Sequence, residues 1–134
     1  MLHDSVLAAR LGAPILIVED NQTNALILRS MLGKHGYSSL VATDGREGVE
    51  MTRTHRPLLV LMDLQMPRLD GFSAVSEILA SDPAAPPIVA VTASVAEKVR
   101  DACLAAGFSD VISKPIMIEE LMRTVRRLMS LPEG

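Results

Sequence analysis

The run Leu58-Leu59-Val60-Leu61-Met62-Asp63 is the stretch of sequence that decides the fold. Five apolar residues follow one another and a carboxylate ends the run. A short continuous apolar run is typical of a strand that is buried on both faces, as in a parallel sheet covered by helices. The acidic residue is then expected at the carboxyl edge of the sheet, where open α/β folds bind their ligands.

Four similar runs lie on either side of this one. They predict further strands at residues 15–18, 39–42, 88–91 and 110–113. A segment with helical periodicity follows each strand. The alternation of strand and helix, five times over, predicts an α/β domain with a parallel five-stranded sheet, right-handed crossovers and helices on both faces.

The helical segments are predicted from apolar residues that recur on one face. Glycine, Asp-Gly and proline-rich stretches between the periodic segments mark the turns. In chain order, the predicted apolar faces consist of Leu28, Met31 and Leu32; Val49 and Met51; Phe72, Val75 and Leu79; Val95, Val99, Ala102, Cys103 and Ala106; and Leu121, Val125 and Leu128.

Composition excludes several classes of protein. The chain has 134 residues, enough for one domain of ordinary size, and a formal net charge of −3, which argues against a nucleic-acid-binding module. The longest apolar runs are far shorter than the roughly 20 residues that span a bilayer. With a single cysteine, Cys103, no intrachain disulfide can form, and we expect a reducing, cytoplasmic compartment.

The ends of the predicted strands carry the residues with chemistry to offer. Glu19 and Asp20 follow the first strand, Asp63 ends the third, and Thr92 and Lys114 follow the fourth and fifth. Like charges this close are unfavourable unless a cation neutralises them, and oxygen donors suit Mg²⁺. An ammonium and a hydroxyl beside them could receive phosphoryl oxygens, so the set is typical of an aspartyl-phosphate site.

Four short pieces, taken in order, resemble the receiver domain of two-component response regulators. They are residues 15–21, 62–67 with Asp70-Gly71, 91–93 and 113–116. The resemblance implies a flavodoxin-like, doubly wound (βα)5 fold with strand order 2-1-3-4-5. The receiver would span residues 14–130, with an extension or linker at 1–13 and a tail at 131–134. Glu19-Asp20-Asn21 followed by Asn24 is most similar to receivers of hybrid histidine kinases.

The resemblance also implies a role for each acidic residue and for its metal. Asp63 would be the phosphoacceptor. Asp20 and Asp63 would bind Mg²⁺ through their side chains, Gln65 through its backbone carbonyl, and Glu19 directly or through water.

The remaining residues of the site would bind the phosphoryl group. Lys114 would pair with Asp63 and then with the phosphoryl group. Thr92 would turn its hydroxyl onto a phosphoryl oxygen, with the Ala93 N–H nearby. The bond between Lys114 and Pro115 resembles one that is cis in this family.

One position departs from the family pattern. Many receivers carry Tyr or Phe three residues before the lysine, and this ring turns inward when the threonine moves. Here the position is Val111. Valine has one stiff side-chain torsion and no hydroxyl, so we expect it not to report the switch in the same way.

The predicted function is that of a phosphoacceptor module rather than an enzyme, with only slow self-catalysed phosphoryl transfer and autodephosphorylation. Its donor would be a histidine kinase or a histidine phosphotransfer protein, and phosphorylation would change its partners. We expect no direct nucleic-acid binding, no membrane insertion and a weak homodimer. The chain would act in the cytoplasm, by itself or within a membrane-anchored hybrid kinase, with the output domain in another chain or segment.

Two other functions remain open at this point. A degenerate receiver would act as a constitutive protein-interaction module, an alternative that rests on Val111. An enzyme on the same fold, handling flavin or phosphate esters, would want a phosphate-binding loop after the first strand, but residues 19–22 there are acidic or amidic. The first 13 residues contain a short apolar pattern, formed by Leu2, Val6, Leu7 and Leu11. This pattern fits a linker, an extra helix or a dimer contact.

Overall fold

The computed structural model describes residues 12–66, 68–94 and 96–129, in which strands and helices alternate. The strands are β1 (Ile15–Val18), β2 (Ser39–Ala42), β3 (Leu59–Asp63), β4 (Ile88–Thr92) and β5 (Asp110–Ser113). The helices are α1 (Gln22–Lys34), α2 (Gly45–His55), α3 (Gly71–Ser81), α4 (Glu97–Ala106) and α5 (Ile118–Met129). The predicted strands are confirmed, except that β3 begins one residue later than the apolar run and β4 ends one residue later than expected.

The five strands form one parallel sheet in the order β2-β1-β3-β4-β5. This confirms the predicted flavodoxin-like topology. The chain passes from β1 to β2 on one side and then crosses to β3 on the other side of β1. The strand order therefore reverses between β1 and β3. A crevice forms at the carboxyl ends of strands at such a point.

The core lies in two layers because successive strand residues point to opposite faces. Leu16 and Val18 of β1 join one layer with residues of α2, α3 and α4. Ile15 and Ile17 join the other layer with residues of α1 and α5. Every residue of β1 and β3 is buried, which is why these runs are apolar throughout.

Three helices begin at an Asn or Asp side chain that accepts a hydrogen bond from a backbone N–H three residues later. The distances are 2.9 Å at Asn21, 2.8 Å at Asp44 and 2.9 Å at Asp70. Each cap satisfies one of the N–H groups that the first helical turn leaves without a partner. Helix α4 begins instead after Ala96, which makes no such bond.

Three of the predicted apolar faces, those of α2, α3 and α4, were partly wrong. In α3, Leu79 is 39% exposed, while Ala74 and Ile78 are buried beside Val75. In α4, Ala102 is exposed and Cys103 is fully buried. The prediction followed the largest apolar side chains, but the face that meets the sheet is decided by how closely the helix approaches it.

Helix α2 shows the same effect most clearly. The buried residues are Gly45, Gly48, Val49 and Thr52, whereas Met51 is only half-buried. A Cβ atom on Gly48 would lie 2.9 Å from Cγ1 of Val18. The helix therefore packs on β1 through small residues, which a search for large apolar side chains does not find.

Several predictions fall outside the described residues. These are the extension at 1–13 as far as residue 11, its apolar pattern, the tail at 131–134, and the place of Val95 in α4. The bounds 14–130 remain a prediction. In residues 12–66, 68–94 and 96–129, no helix is both long and apolar enough to cross a membrane.

Candidate functional site

The carboxyl ends of four strands bring the predicted site residues to one edge of the sheet. Glu19 follows β1, Asp63 ends β3, Thr92 ends β4 and Lys114 follows β5. Together they line a cleft of about 340 Å³, whose walls are completed by Asp20, Asn21, Asn24, Gln65, Ala93 and Ser94. Residues that are far apart in the sequence thus meet where the strand order reverses.

Three carboxylates crowd together in this cleft. One oxygen from each of Glu19, Asp20 and Asp63 lies within 4.8 Å of the other two. Glu19 and Asp63 are 4% and 6% exposed, whereas Asp20 is exposed. The Asn21 N–H donates to Oε2 of Glu19 at 3.1 Å. Hard divalent cations bind such oxygen donors, so these residues fit a metal ion that would relieve their mutual repulsion.

Lys114 provides the positive charge of the cleft. Its Nζ donates to Oδ2 of Asp63 at 2.9 Å and lies 3.6 Å from Oε1 of Glu19. Burial opposes the charged form, but the hydrogen bond with Asp63 and the charges of Asp63 and Glu19 outweigh it and raise the pKa of Lys114. Lys114 therefore stays protonated at neutral pH and can meet an anionic group.

The pKa of Glu19 is raised in this cleft. Burial raises the pKa of Glu19, and the nearby charge of Asp63 raises it further. The backbone hydrogen bond from Asn21 and the charge of Lys114 act in the opposite direction without cancelling the rise. A metal ion would favour the charged form of this carboxyl, since it supplies the compensation that burial removes.

Asp63 is held from two sides. In addition to Lys114 at Oδ2, the backbone N–H of Gln65 donates to Oδ1 at 3.1 Å. The loop after β3 begins with a hydrogen bond from the Leu64 N–H to the Val91 oxygen and closes with one from the Gly71 N–H to the Leu64 oxygen. The orientation of Asp63 is therefore linked to the backbone of the loop that contains Gln65.

Thr92 and Ala93 lie on the far wall of the cleft. The Thr92 hydroxyl oxygen accepts a hydrogen bond from the Ser94 N–H at 3.2 Å. Thr92 is half-buried and Ala93 is exposed. The hydroxyl oxygen thus accepts a hydrogen bond within its own loop, and its proton can still be donated to another group.

Val111 and Pro115 do not line the cleft. Val111 is 5% exposed and belongs to the core layer on the α2–α4 face. It pairs with Ala90 of β4, two residues before Thr92 on the same face of the sheet. The Lys114–Pro115 peptide bond is cis, as the resemblance implied.

An apolar groove, which the sequence pattern did not predict, borders the cleft. It has a volume of about 350 Å³ and runs between α1 and the loop after β5, lined by Asn24, Ile27, Leu28, Pro115 and Ile116, with Glu19 and Lys114 at its polar end. Ile27 of this lining is 49% exposed, and the chain neighbours Leu26 and Met117 are 64% and 63% exposed. The available signal was Leu26-Ile27, two large apolar residues off the predicted buried face of α1.

The fold and the cleft together define a class of protein: a flavodoxin-like α/β domain with an acidic, lysine-containing site at the switch point of its sheet. The family model of the response regulator receiver domain matches residues 15–126. The chain therefore belongs to the response regulator receiver domain family, which confirms the resemblance seen in the sequence.

The similar proteins include parts of sensor kinases. The autoinducer 2 sensor kinase/phosphatase LuxQ of Vibrio vulnificus is 39% identical over 110 residues, which cover 82% of this chain and 13% of LuxQ. The receiver domain of the Pseudomonas aeruginosa sensor histidine kinase PA1611, solved with magnesium in its active-site cleft, is 38% identical with a TM-score of 0.80. The match covers 88% of this chain and 98% of that one.

A third relative was solved with a partner. The co-crystal structure of the Saccharomyces cerevisiae histidine phosphotransfer signaling protein Ypd1 and the receiver domain of Ssk1 contains a chain that is 32% identical, with a TM-score of 0.82. The match covers 87% of this chain and 88% of that chain. The matches to parts of two sensor kinases agree with the predicted similarity to receivers of hybrid histidine kinases.

Proposed function

We propose that this chain accepts a phosphoryl group from a phosphohistidine onto Asp63 and changes its protein partners as a result. The observation that carries the proposal is the setting of Asp63, a buried carboxylate held between Lys114 and the Gln65 amide and facing a cleft that also contains Thr92. The family membership supports the same chemistry.

The proposed step forms one bond and breaks another. A carboxylate oxygen of Asp63 attacks phosphorus as the bond from phosphorus to the donor imidazole nitrogen breaks. The electron pair of that bond goes to the imidazole, which takes up a proton from solvent, and Asp63 becomes an acyl phosphate. Phosphoryl transfer needs mainly positioning and charge neutralisation, and the fixed orientation of Asp63 provides the first.

Mg²⁺ is the proposed cofactor. Asp20 and Asp63 would hold it through their side chains, Gln65 through its backbone carbonyl, and Glu19 directly or through water. When bound, the metal neutralises charge on the phosphoryl oxygens. The proposal is supported by the three carboxylates and by the magnesium ion named in the structure of the PA1611 receiver.

Lys114 and Thr92 would receive the phosphoryl group once it is attached. Lys114 is charged and hydrogen-bonded to Asp63, so it can move its contact to a phosphoryl oxygen without crossing the cleft. Thr92 would exchange its contact with the Ser94 N–H for a hydrogen bond to another phosphoryl oxygen, with the Ala93 N–H as a further donor.

The apolar groove between α1 and the loop after β5 is the proposed docking surface for the donor protein. It opens beside Lys114, and Ile27, which lines it, is an exposed apolar residue. Exposed apolar patches next to a polar site mark protein contacts in many proteins. A donor protein bound there would bring its histidine close to Asp63.

Phosphorylation would change partners through the loop after β4 rather than through an aromatic side chain. Val111 is buried, and its stiff side chain offers no rotation towards Thr92. A constitutive interaction module remains the second candidate, because this substitution would also suit a receiver whose partner binding ignores phosphorylation. We also propose that the chain forms a weak homodimer and does not bind nucleic acid. We propose a cytoplasmic location, either alone or within a membrane-anchored hybrid kinase.

The test is phosphorylation of the purified chain with Mg²⁺ and acetyl phosphate, followed by intact-mass measurement. We expect a mass increase of one phosphoryl group that disappears in Asp63→Asn and persists in Asp70→Asn, an exposed helix-capping aspartate nearby. No modification, or modification retained in Asp63→Asn, would refute the proposal. A partner affinity that beryllium fluoride leaves unchanged would favour the constitutive module.

A further inference from the structure

An ion pair joins the turn before α2 to the loop between β3 and α3. Nη1 of Arg68 lies 3.2 Å from Oδ2 of Asp44. The other oxygen of Asp44 accepts the Glu47 N–H as the cap of α2, and Asp44 is only 8% exposed. The carboxylate is therefore fixed by the helix and offers one oxygen to the loop.

The same two segments touch through their backbones. A Cβ atom on Gly45 would lie 1.8 Å from the backbone oxygen of Leu69, so only glycine allows this approach. Next to the contact, Arg68 has φ of 69°, in the left-handed region that L-residues avoid. A residue keeps such a conformation where its surroundings hold it there, and here the surroundings are Asp44 and Gly45.

The far end of this loop belongs to the cleft. Gln65 donates its N–H to Asp63, and the Gly71 N–H closes the loop on the Leu64 oxygen. Gln65 and Arg68 thus belong to the same loop, and the hydrogen bond between Gly71 and Leu64 joins its two ends.

We infer that Asp44 and Arg68 are a positioning pair for the metal site. They hold the loop so that the Gln65 carbonyl is ready to bind Mg²⁺, and neither residue touches the metal. The inference rests on the proposed function, because it concerns the ligand loop of the proposed site. Arg68 is largely exposed, so its pair with Asp44 should change Mg²⁺ affinity by about two- to five-fold, the range of exposed ion pairs.

Mg²⁺ affinity, measured by calorimetry on the unphosphorylated chain at low salt, tests the inference without any reaction. Arg68→Ala breaks the pair. Because alanine also has a Cβ atom, the variant still places an L-residue at this disfavoured φ. Asp44→Asn breaks it and keeps the helix cap, since Asn caps as well as Asp. Arg68→Lys keeps the positive charge that faces Asp44, so it should restore most of the affinity.

The signs of the two changes separate positioning from simple charge. If only long-range charge mattered, Arg68→Ala would strengthen Mg²⁺ binding and Asp44→Asn would weaken it. Positioning predicts that both variants weaken it, and that the double variant is no worse than either one. Glu77→Gln, which breaks the exposed pair with Arg46 on α2, is the matched control and should leave the Mg²⁺ affinity unchanged.

Hydrogen exchange provides a second measurement. We expect the Gly71 amide, which closes the loop, to exchange faster in Arg68→Ala and Asp44→Asn and to recover in Arg68→Lys. An unaltered chain that takes up no Mg²⁺ would overturn both this inference and the proposed metal site. An unaltered chain that binds Mg²⁺, with Arg68→Ala binding as tightly or more tightly, would overturn the positioning pair alone.

Discussion

Replacing Asp20 with asparagine should make the metal-free protein more stable and remove its response to Mg²⁺. Asp20 is the exposed member of the three carboxylates that lie within 4.8 Å of one another. The substitution keeps the shape of the side chain and removes one negative charge. The chain would thus gain stability by losing a residue that we assign to its metal site.

The size of the gain follows from the distances. Two unit charges 4.8 Å apart repel by about 3.5 kcal/mol at an effective dielectric constant of 20, and by about 0.9 kcal/mol in bulk water. Asp20 is exposed, so the lower figure is the better guide for each pair. Lys114 forms ion pairs with Asp63 and Glu19, and its positive charge relieves part of the repulsion. We expect the free energy of unfolding to rise by about 1 kcal/mol.

Mg²⁺ should reverse this order. A ligand at ten times its dissociation constant stabilises the folded state by about 1.4 kcal/mol. The unaltered chain gains this amount, whereas Asp20→Asn has lost a charged ligand and gains little. The variant would then be the more stable protein in EDTA and would have no advantage at this Mg²⁺ concentration.

Urea unfolding followed by circular dichroism, in EDTA and in Mg²⁺, measures all four free energies. Asp101→Asn, an exposed acid on α4 outside the site, is the control and should show the same Mg²⁺ response as the unaltered chain. An Asp20→Asn variant that is less stable in EDTA, or that keeps the whole Mg²⁺ gain, would refute the reasoning from crowded carboxylates.

Three further predictions concern the core, the loop and the surface. Cys103 is fully buried and burial raises the pKa of its thiol, so Cys103→Ser should lower the free energy of unfolding by about 1–3 kcal/mol in urea titrations, and Cys103→Ala by less. A Cβ atom on Gly71 would lie 2.8 Å from the backbone oxygen of Asp63, so Gly71→Ala should slow phosphorylation by acetyl phosphate about 10- to 100-fold, and an unchanged rate would show that the loop adapts. The hydrogen bond from Arg46 lowers the pKa of Glu77, so this pair stabilises the fold above the unfolded pKa of Glu77 and ceases to do so as the pH falls through the folded pKa. Glu77→Gln should therefore lower the urea midpoint at pH 7, and the difference should vanish once the pH has fallen below the lowered pKa of Glu77.

Local pattern was enough to predict most of the architecture. Strand β1 and strand β3 are buried on both faces, so their apolar runs could be read without knowing what covers them. The caps at Asn21, Asp44 and Asp70 were not predicted, although each bonds to a backbone group only three residues away and is therefore a local feature. The flavodoxin-like strand order came from the resemblance to a family, not from these patterns.

The candidate site could be predicted in its membership and only partly in its geometry. Once the strands were assigned, the topology rule placed Glu19, Asp63 and Lys114 on one edge. The rule does not say that Lys114 reaches both carboxylates, or that the Thr92 hydroxyl is engaged with the Ser94 N–H. Those contacts depend on side-chain distances of a few ångströms.

Features that depend on interactions between near neighbours in the chain could be predicted from the sequence. Features that depend on contacts between distant elements could not. Hydrophobic periodicity, caps and strand-end residues act over a few positions, so the sequence carried the element order, the acidic edge and Asp63 at its centre. Which helix face is buried, as at Leu79, depends on how closely neighbouring elements approach each other. The contact between Asp44 and Arg68 joins two loops that follow different strands, so it exists only because β1, β2 and β3 pack side by side.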